Sequence, residues 1–375
     1  MKARTRPKLK EIAEAAEVSI PTVDRVLNKR APVSEKTRKK VLAAFEQVNL
    51  EHLNDLQGNV NTNLLNFDLI VESGRSFNKS IEQAVISVSQ IFSDKNVIIR
   101  KSLHESIDGN SLSNLIKEVS NNTHGLILIC PERPTVSATI DQVISQGTPV
   151  VCLTTDLPDT LRLGYVGINQ VSAGCTAASI MGRFIGDREG DVVLVGGAPF
   201  RNQEEREMGF RRVIREEFPK LNIREKLISD NKSKTTYKQL RQHFECNEKP
   251  LGIYNASGGN QGIADAIAEL DNCHHSGIQS FDRIVFIGHE LNDSSYSLLT
   301  SNQMDAVIHH DIYTEVLCAV NMLLNHFDRA IFDQSVASFR PIVVLRDNAK
   351  AVFARYNYGS ILHEVATKLI KHQWR

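Results

Sequence analysis

Apolar positions follow two different periods along this chain. Between residues 9 and 48 they recur every three or four residues. Leu9, Ile12, Ala13 and Ala16 share one helical face. Val23, Val26 and Leu27 repeat the spacing, and Val41, Phe45 and Val48 repeat it again. Ser19 and Ser34 stand at N-cap positions, and Pro21 falls early in the second helix, where its missing N–H costs little. Three short helices are predicted. From residue 67 the pattern changes to short apolar runs: FDLIVE (67–72), NVIIRKS (96–102), GLILIC (125–130), PVVCLT (149–154), DVVLVGG (191–197), PLGIYN (250–255), RIVFIG (283–288) and DAVIHH (305–310). Amphipathic stretches separate them. This alternation predicts an α/β architecture of parallel strands covered by helices on both faces.

About 280 residues of this pattern suit two lobes better than one. The first crossover between lobes is expected after LGYVGINQ, and a return near Met304. The domains predicted are a helical head (1–50), a polar linker or hinge (51–64), a two-lobe body (65–350) and a C-terminal helical extension (351–375). In the extension, Leu362, Val365 and Leu369 share a helical face.

Charge divides along the same boundary. The chain carries 44 basic and 44 acidic residues. Residues 1–50 hold twelve of the former and six of the latter, so a head of about +6 precedes a body of about −6. A short first helix, a tight turn, a second helix and a third form a helix-turn-helix. The outer face of its second helix offers Ile20, Pro21, Thr22, Arg25 and Lys29. Arg25 can reach base edges or phosphates; Thr22, Lys29, Arg30 and the basic residues of the third helix can bind backbone phosphate.

In parallel sheets, ligands bind beyond the C-terminal ends of the strands. The candidate segments are Ser73–Asn78, Pro131–Arg133, Thr155 and Asp156, Gly197–Glu205, Asn255–Asn260, His289 and Glu290, and His310 with Asp311. Their carboxylates, amides, hydroxyls and imidazoles suit a polar small molecule held by directed hydrogen bonds.

Other chemistries lack anchors. The Gly-rich SGGNQG and VGGAP stretches match neither a dinucleotide fingerprint nor a phosphate loop. HEL at 289–291 has Asp293 where a zinc-binding HExxH needs its second His, and the His clusters lack metal-ligand spacing. No G-x-S-x-G element is present. Six cysteines without CxxC spacing, several inside apolar runs, read as buried free thiols in a reducing compartment. With no membrane-length apolar run, and no signal-peptide core at the N-terminus, a cytoplasmic location is expected.

The stretch LKEIAEAAEVSIPTVDRVLNKRAPVSEKTRKKVLAAFEQV resembles the N-terminal domain of the LacI family of bacterial transcription regulators, with VS-x-x-TV-x-RVLN as its specific core. The resemblance implies that Ile20, Pro21 and Arg25 lie in the DNA major groove and that Thr22, Asn28 and Thr37 contact the backbone. The sequence departs from the family after the third helix. VNLEHLNDLQGNVNTN lacks the usual Pro and carries Glu51 and Asp55; Leu56 stands either as the minor-groove wedge or as a linker leucine.

The body resembles the same family's sensor domain, which is similar to two-lobe periplasmic sugar-binding proteins. EEREMGF implies that Arg206 reaches the ligand. YNASGGNQGIADAI leaves Asn255, Ser257 and Asn260 competing for one polar role. FIGHEL places Glu290 where Asp is usual. DAVIHHD places His310, or His309 if the register slips, where Gln is frequent. DLIVESGRSFNKSIEQAV puts Phe77 at an aromatic stacking position, flanked by Ser73 and Asn78; Asp156 completes the candidate set. The implied function is a ligand-responsive DNA-binding regulator, a repressor. It would bind a palindromic double-stranded operator as a homodimer or higher homo-oligomer, with a small polar effector such as a sugar between the lobes. No catalytic residue, cofactor or metal is implied. The alternative is a binding module or enzyme on the same scaffold, without operator specificity.

Overall fold

A computed structural model describes residues 9–27, 33–34, 36–45, 48, 64–93, 95–197, 200–224, 226–273, 283–333 and 339–357. The chain forms two compact units, Met1–Leu64 and Leu65–Arg375.

In the first unit, α1 spans Leu9–Ala15, α2 spans Ile20–Leu27 and α3 covers 36–45. Ile12, Ala13, Ala16, Val23, Val41 and Ala44 form its small core, with Val26, Leu27 and Phe45 packed against it. The three-to-four-residue spacing therefore becomes one shared interior. Ser34 caps α3: its hydroxyl accepts from the Thr37 backbone N–H at 3.2 Å. At Ser19 the hydroxyl instead pairs with Thr22 Oγ1 at 2.8 Å. In the turn between α1 and α2, Glu17 takes a left-handed φ of 48°. Its exposed carboxylate accepts from Lys40 of α3 at 2.6 Å.

The second unit holds two parallel sheets. In lobe 1, β1 (Leu65–Glu72), β2 (Val97–His104), β3 (Gly125–Ile129), β4 (Val150–Leu153) and β5 (Gly164–Val166) lie in the order β2-β1-β3-β4-β5. All are parallel, with Leu65 opposite Val97 and Phe67 opposite Gly125. Helices α4 (Arg75–Ile91), α5 (Gly109–Ser120) and α6 (Pro134–Ser145) connect them. The sheet is covered on both faces, which is why β3 and β4 are buried at every position.

In lobe 2, β6 (Gly190–Gly196), β7 (Leu221–Ile223), β8 (Leu227–Ile228), β9 (Gly252–Asn255), β10 (Val285–His289), β11 (Ala306–His309) and β12 (Ile342–Val344) form the second sheet. Its order is β12-β11-β10-β9-β6-β7, with β8 also on β6 and only β12 antiparallel to its neighbour. Helices α7 (Gln170–Ile185), α8 (Arg201–Glu217), α9 (Ser233–Cys246), α10 (Asn260–Cys273), α11 (Asp293–Thr300) and α13 (Arg346–Asn357) belong to this lobe; α12 (Ile312–His326) packs on lobe 1.

The described residues show the chain passing between the lobes three times. The first follows β5: Val166 is in the lobe 1 core and Ile168 in the lobe 2 core. The second comes later than expected. Met304 is buried in lobe 2 and β11 still belongs to its sheet, so the chain returns only at His310 and Asp311, just before α12. The third carries the chain from α12 back to β12. Strands β5, β7, β8 and β12 escape the apolar-run reading because each has only two or three residues. The extension expected from residue 351 is also revised. α13 already runs through that position, and Val352 and Phe353 pack on the lobe 2 core; residues 358–375 lie outside the described ones. Cys130 and Cys152 are buried free thiols as expected and Cys318 is buried too, but Cys175 is half-buried and Cys246 exposed.

Candidate functional sites

On the head, α2 keeps Val23 fully buried and turns Ile20, Pro21 and Arg25 outward, with Ile20 44% exposed. Thr22 and Thr37 are partly exposed near the starts of α2 and α3, beside the exposed Lys36, Arg38, Lys39 and Lys40. Such a surface presents directed donors next to a basic rim. Asn28, Lys29 and Leu56 lie outside the described residues.

In the second unit a cavity of about 320 Å³ opens between the lobes. Each sheet reverses its strand order at the cavity: beside β1 and β3 in lobe 1, beside β6 and β9 in lobe 2. Diverging connections leave a crevice at such points, so the loops after these strands supply most of the walls. Lobe 1 contributes Ser73–Phe77, Glu105, Ile129 and Thr154. Lobe 2 contributes Phe200 just before α8, Asn202, Gln203 and Arg206 from α8, Asp230–Ser233, Ser257–Gln261, and His289, Glu290, Asn292 and Ser294. The lobes touch around the rim. Lys79 reaches Asp293 at 2.6 Å, the Asn202 N–H reaches Thr155 Oγ1 at 3.4 Å, and a Cβ on Gly74 would lie 3.4 Å from that of Asn231.

Arg206 is the most deeply buried charge on the cavity wall, 2% exposed. Its Nε donates to Gln170 Oε1 at 2.8 Å and Nη1 to the Ala256 carbonyl at 3.1 Å; Nη2 has no partner. Its position follows from glycines. A Cβ on Gly209 would lie 2.1 Å from the Val171 carbonyl oxygen, and one on Gly174 would lie 1.9 Å from the Arg206 carbonyl oxygen. Helices α7 and α8 thus meet backbone to backbone, which brings Arg206 beside Gln170 at the start of α7. Phe210, one residue on from Gly209, stacks on Tyr254 with ring centroids 4.2 Å apart. Tyr254 OH in turn meets His289 Nε2 at 2.8 Å, while His289 Nδ1 and Asn202 Oδ1 lack partners. Burial, with the charges of Arg206 and His310 nearby, holds the His289 imidazole well below its usual range, so it is neutral. Glu290 follows β10 at φ 68°, and burial pushes its carboxyl upward against the pull of His310 and Arg206.

The structure therefore gathers Ser73, Phe77, Arg206, Ser257, Asn260 and Glu290 on the cavity wall. Four expected residues are placed differently. Asn78 turns inward and donates from its amide to the Ser73 and His104 carbonyls at 3.1 and 3.0 Å, bracing the β1–α4 loop. Asp156 is engaged by Arg162, at 2.5 Å through Nε and 2.7 Å through Nη2, away from the cavity. Asn255 is fully buried behind the wall, where it bonds Gly258, Ser257 and Asn260 and shapes their loop. His310 is also behind the wall, 6.1 Å from the Phe77 ring, and faces Glu315. His309 is not the alternative, since it too is absent from the lining.

Other wall residues carried no signal in the one-dimensional pattern. Thr154 sits at φ 62° just past β4. Asn231 sits at φ 63° after the two-residue β8, accepting from Gln203 Nε2 at 3.2 Å and from the Gly258 N–H at 3.1 Å. A longer apolar run before Asn231 would have exposed it as a strand-end residue; β8 is too short to provide one.

Two family models match. Residues 8–51 match the model described as bacterial regulatory proteins, lacI family, and residues 76–330 match a periplasmic binding protein domain. This chain belongs to the lacI family of bacterial regulatory proteins. No curated protein matches it significantly. The regulator's second unit has the fold of several solved solute-binding proteins. One, from Burkholderia graminis C4D1M, is in complex with D-arabinose: 16% identity, TM-score 0.66, covering 77% of this chain and 98% of the other. GanP, a glucose-galactose binding protein from Geobacillus stearothermophilus, gives 15% identity and TM-score 0.67 over 76% and 99% of the two chains. A protein from Actinobacillus succinogenes 130z, with bound D-allose, gives 15% and 0.65 over 76% and 99%. Among the regulator's described residues no helix is long and apolar enough to cross a membrane.

Proposed function

We propose that this lacI-family regulator is a repressor that binds a palindromic operator as a dimer and responds to a neutral monosaccharide held between its lobes. The observation that carries the effector reading is the charge balance of the cavity wall. Arg75 faces Glu105 at 3.9 Å and Lys232 faces Asp230 at 3.5 Å, which leaves Arg206 and Glu290 as one cation and one anion. A wall whose charges cancel favours a neutral ligand over a sugar acid or phosphate. The partnerless Arg206 Nη2 offers a donor, and Asn202 Oδ1 and the Glu290 carboxylate offer acceptors, the complement of a ring of hydroxyls. Phe77 and Phe200 add apolar faces for the C–H side of a sugar ring. The volume sits at the low end of the roughly 300–1,000 Å³ typical of small-molecule sites, which suits one sugar unit. The sugars in the related structures support the same class.

On the DNA side, Ile20, Pro21 and Arg25 would enter the major groove, and Thr22, Asn28, Lys29 and Thr37 would hold the backbone. Residues 51–64 would serve as the hinge, with Leu56 as its wedge. One head covers few base pairs, so a second head on a symmetric half-site supplies the missing specificity. Effector and operator would then compete through a shared conformational equilibrium, each weakening the other by the same factor.

The test has two arms. Thermal-shift screening against free pentoses, hexoses, hexonates and hexose phosphates should find stabilisation by a neutral sugar; stabilisation by only the charged compounds would overturn the effector class. Selection from a random duplex library, followed by titration at several salt concentrations, should return a palindrome whose affinity falls steeply with salt. Equal binding to palindromic and random duplexes would leave a binding module or enzyme as the better reading.

A further inference from the structure

We propose that a buried relay, Arg206–Gln170–Thr154–Glu315–His310, ties the cavity to two interlobe crossings and that Glu315 is its positioning residue. Arg206 Nε donates to Gln170 Oε1 at 2.8 Å, and Gln170 Nε2 donates to the Thr154 carbonyl at 3.1 Å. Thr154 Oγ1 donates to Glu315 Oε2 at 3.1 Å, and Glu315 Oε1 meets His310 Nδ1 at 2.8 Å. Every side chain in this series is 2% exposed or less.

The relay crosses between lobes twice. Gln170 opens α7 immediately after the first crossing, whereas Thr154 belongs to lobe 1. His310 lies at the second crossing, at the end of lobe 2's β11, whereas Glu315 lies on α12 in lobe 1. A rotation of one lobe against the other must stretch the Gln170–Thr154 and His310–Glu315 links together. A carboxylate with no access to water tolerates no intermediate separation, because losing its partners strands a buried charge. The series therefore has discrete settings, made or broken, and its two ends report cavity contents. Arg206 and Thr154 line the cavity, and Phe77, also on the wall, lies against the His310 ring. The regulatory meaning rests on the cavity being the effector site; the existence of the hinge lock does not.

The lock is tested in the full-length chain without ligand. Spin labels carried by non-natural amino acids at Ile86 in lobe 1 and Met208 in lobe 2, which are 50% and 57% exposed, report the interlobe distance by pulsed electron resonance. Wild-type protein should give one narrow distribution. Glu315→Gln should broaden or shift it by several Å, and His310→Gln should act in the same direction. The double variant should show no further change, because both break one link. His310→Gln cuts the same interlobe link from the other side and serves if Glu315→Gln does not fold. A wild-type distance distribution in the folded variants overturns the proposal, even if their melting temperatures fall, because a merely structural pair would alter stability alone. If the distances respond but no sugar affects operator affinity, the lock stands and the effector reading fails.

Discussion

Replacing Gly209 with Ala adds one methyl group where two helices touch backbone to backbone. The new Cβ would lie 2.1 Å from the Val171 carbonyl oxygen and 3.0 Å from the Cys175 nitrogen. Both obstacles are main chain, so no rotamer change relieves them. Ordinary contact requires α7 and α8 to part by roughly 1 Å or more, forfeiting dispersion along the interface that Ala173, Ala177, Phe210 and Val213 make. Overpacking typically costs about 1–3 kcal/mol, and backbone obstacles place this case at about 3. The neighbouring Met208→Ala, on a side chain 57% exposed, should cost less than about 0.5 kcal/mol and serves as the control. Gly174→Ala attacks the same interface from the other helix, its Cβ falling 1.9 Å from the Arg206 carbonyl oxygen. Once either substitution has parted the helices, the second costs little, so the double variant should be well short of additive. Denaturant titration of the full-length chain, followed by circular dichroism, measures all four. A wild-type midpoint for Gly209→Ala, or strict additivity in the pair, would refute the close-contact account of how Arg206 is positioned.

Three other outcomes are expected. Arg206→Ala should weaken binding of whichever sugar the screen identifies by roughly 10- to 100-fold, as for one lost charge-assisted hydrogen bond, while operator affinity without sugar stays the same. Calorimetry showing unaltered sugar affinity would remove Arg206 from the site. Arg25→Ala should cost about 1–3 kcal/mol in discrimination against substituted operators, with sugar binding intact; unchanged discrimination in a competition assay would dismiss α2 as the reader. His310 gives a pH dependence. Burial opposes its imidazolium, but Glu315 on α12 and Glu290 after β10 outweigh burial and Arg206, so its pKa is raised. His289 is held neutral, and burial pushes His309 down to about 3, so neither supplies a competing positive charge at neutral pH. A raised pKa contributes stability that is complete below the unfolded value near 6.5 and is lost as pH climbs through the folded value. The stability advantage of wild type over His310→Gln should therefore be larger at pH 6 than at pH 9. An advantage that grows with pH would contradict the ion pair.

The sequence by itself determined what depends on neighbours along the chain. Helical spacing at Ile12, Val23 and Val41 announced three helices, because a helix buries whichever residues its own period aligns. The long apolar runs around Ile127, Val193 and Phe286 announced strands buried on both faces. Arg206 was legible only through the resemblance of EEREMGF to a family motif, not from periodicity. Only the tertiary structure decided which polar groups face the cavity. Asn78 and Asp156 follow strands just as Ser73 does, yet backbone carbonyls claim one and Arg162 the other. Glu315 has no distinguishing local pattern; it is buried because α12 returns to lobe 1 and brings it to Thr154, 161 positions earlier. Hydrogen-bond partners are chosen by distance in space, and folding sets those distances between segments that share no local pattern.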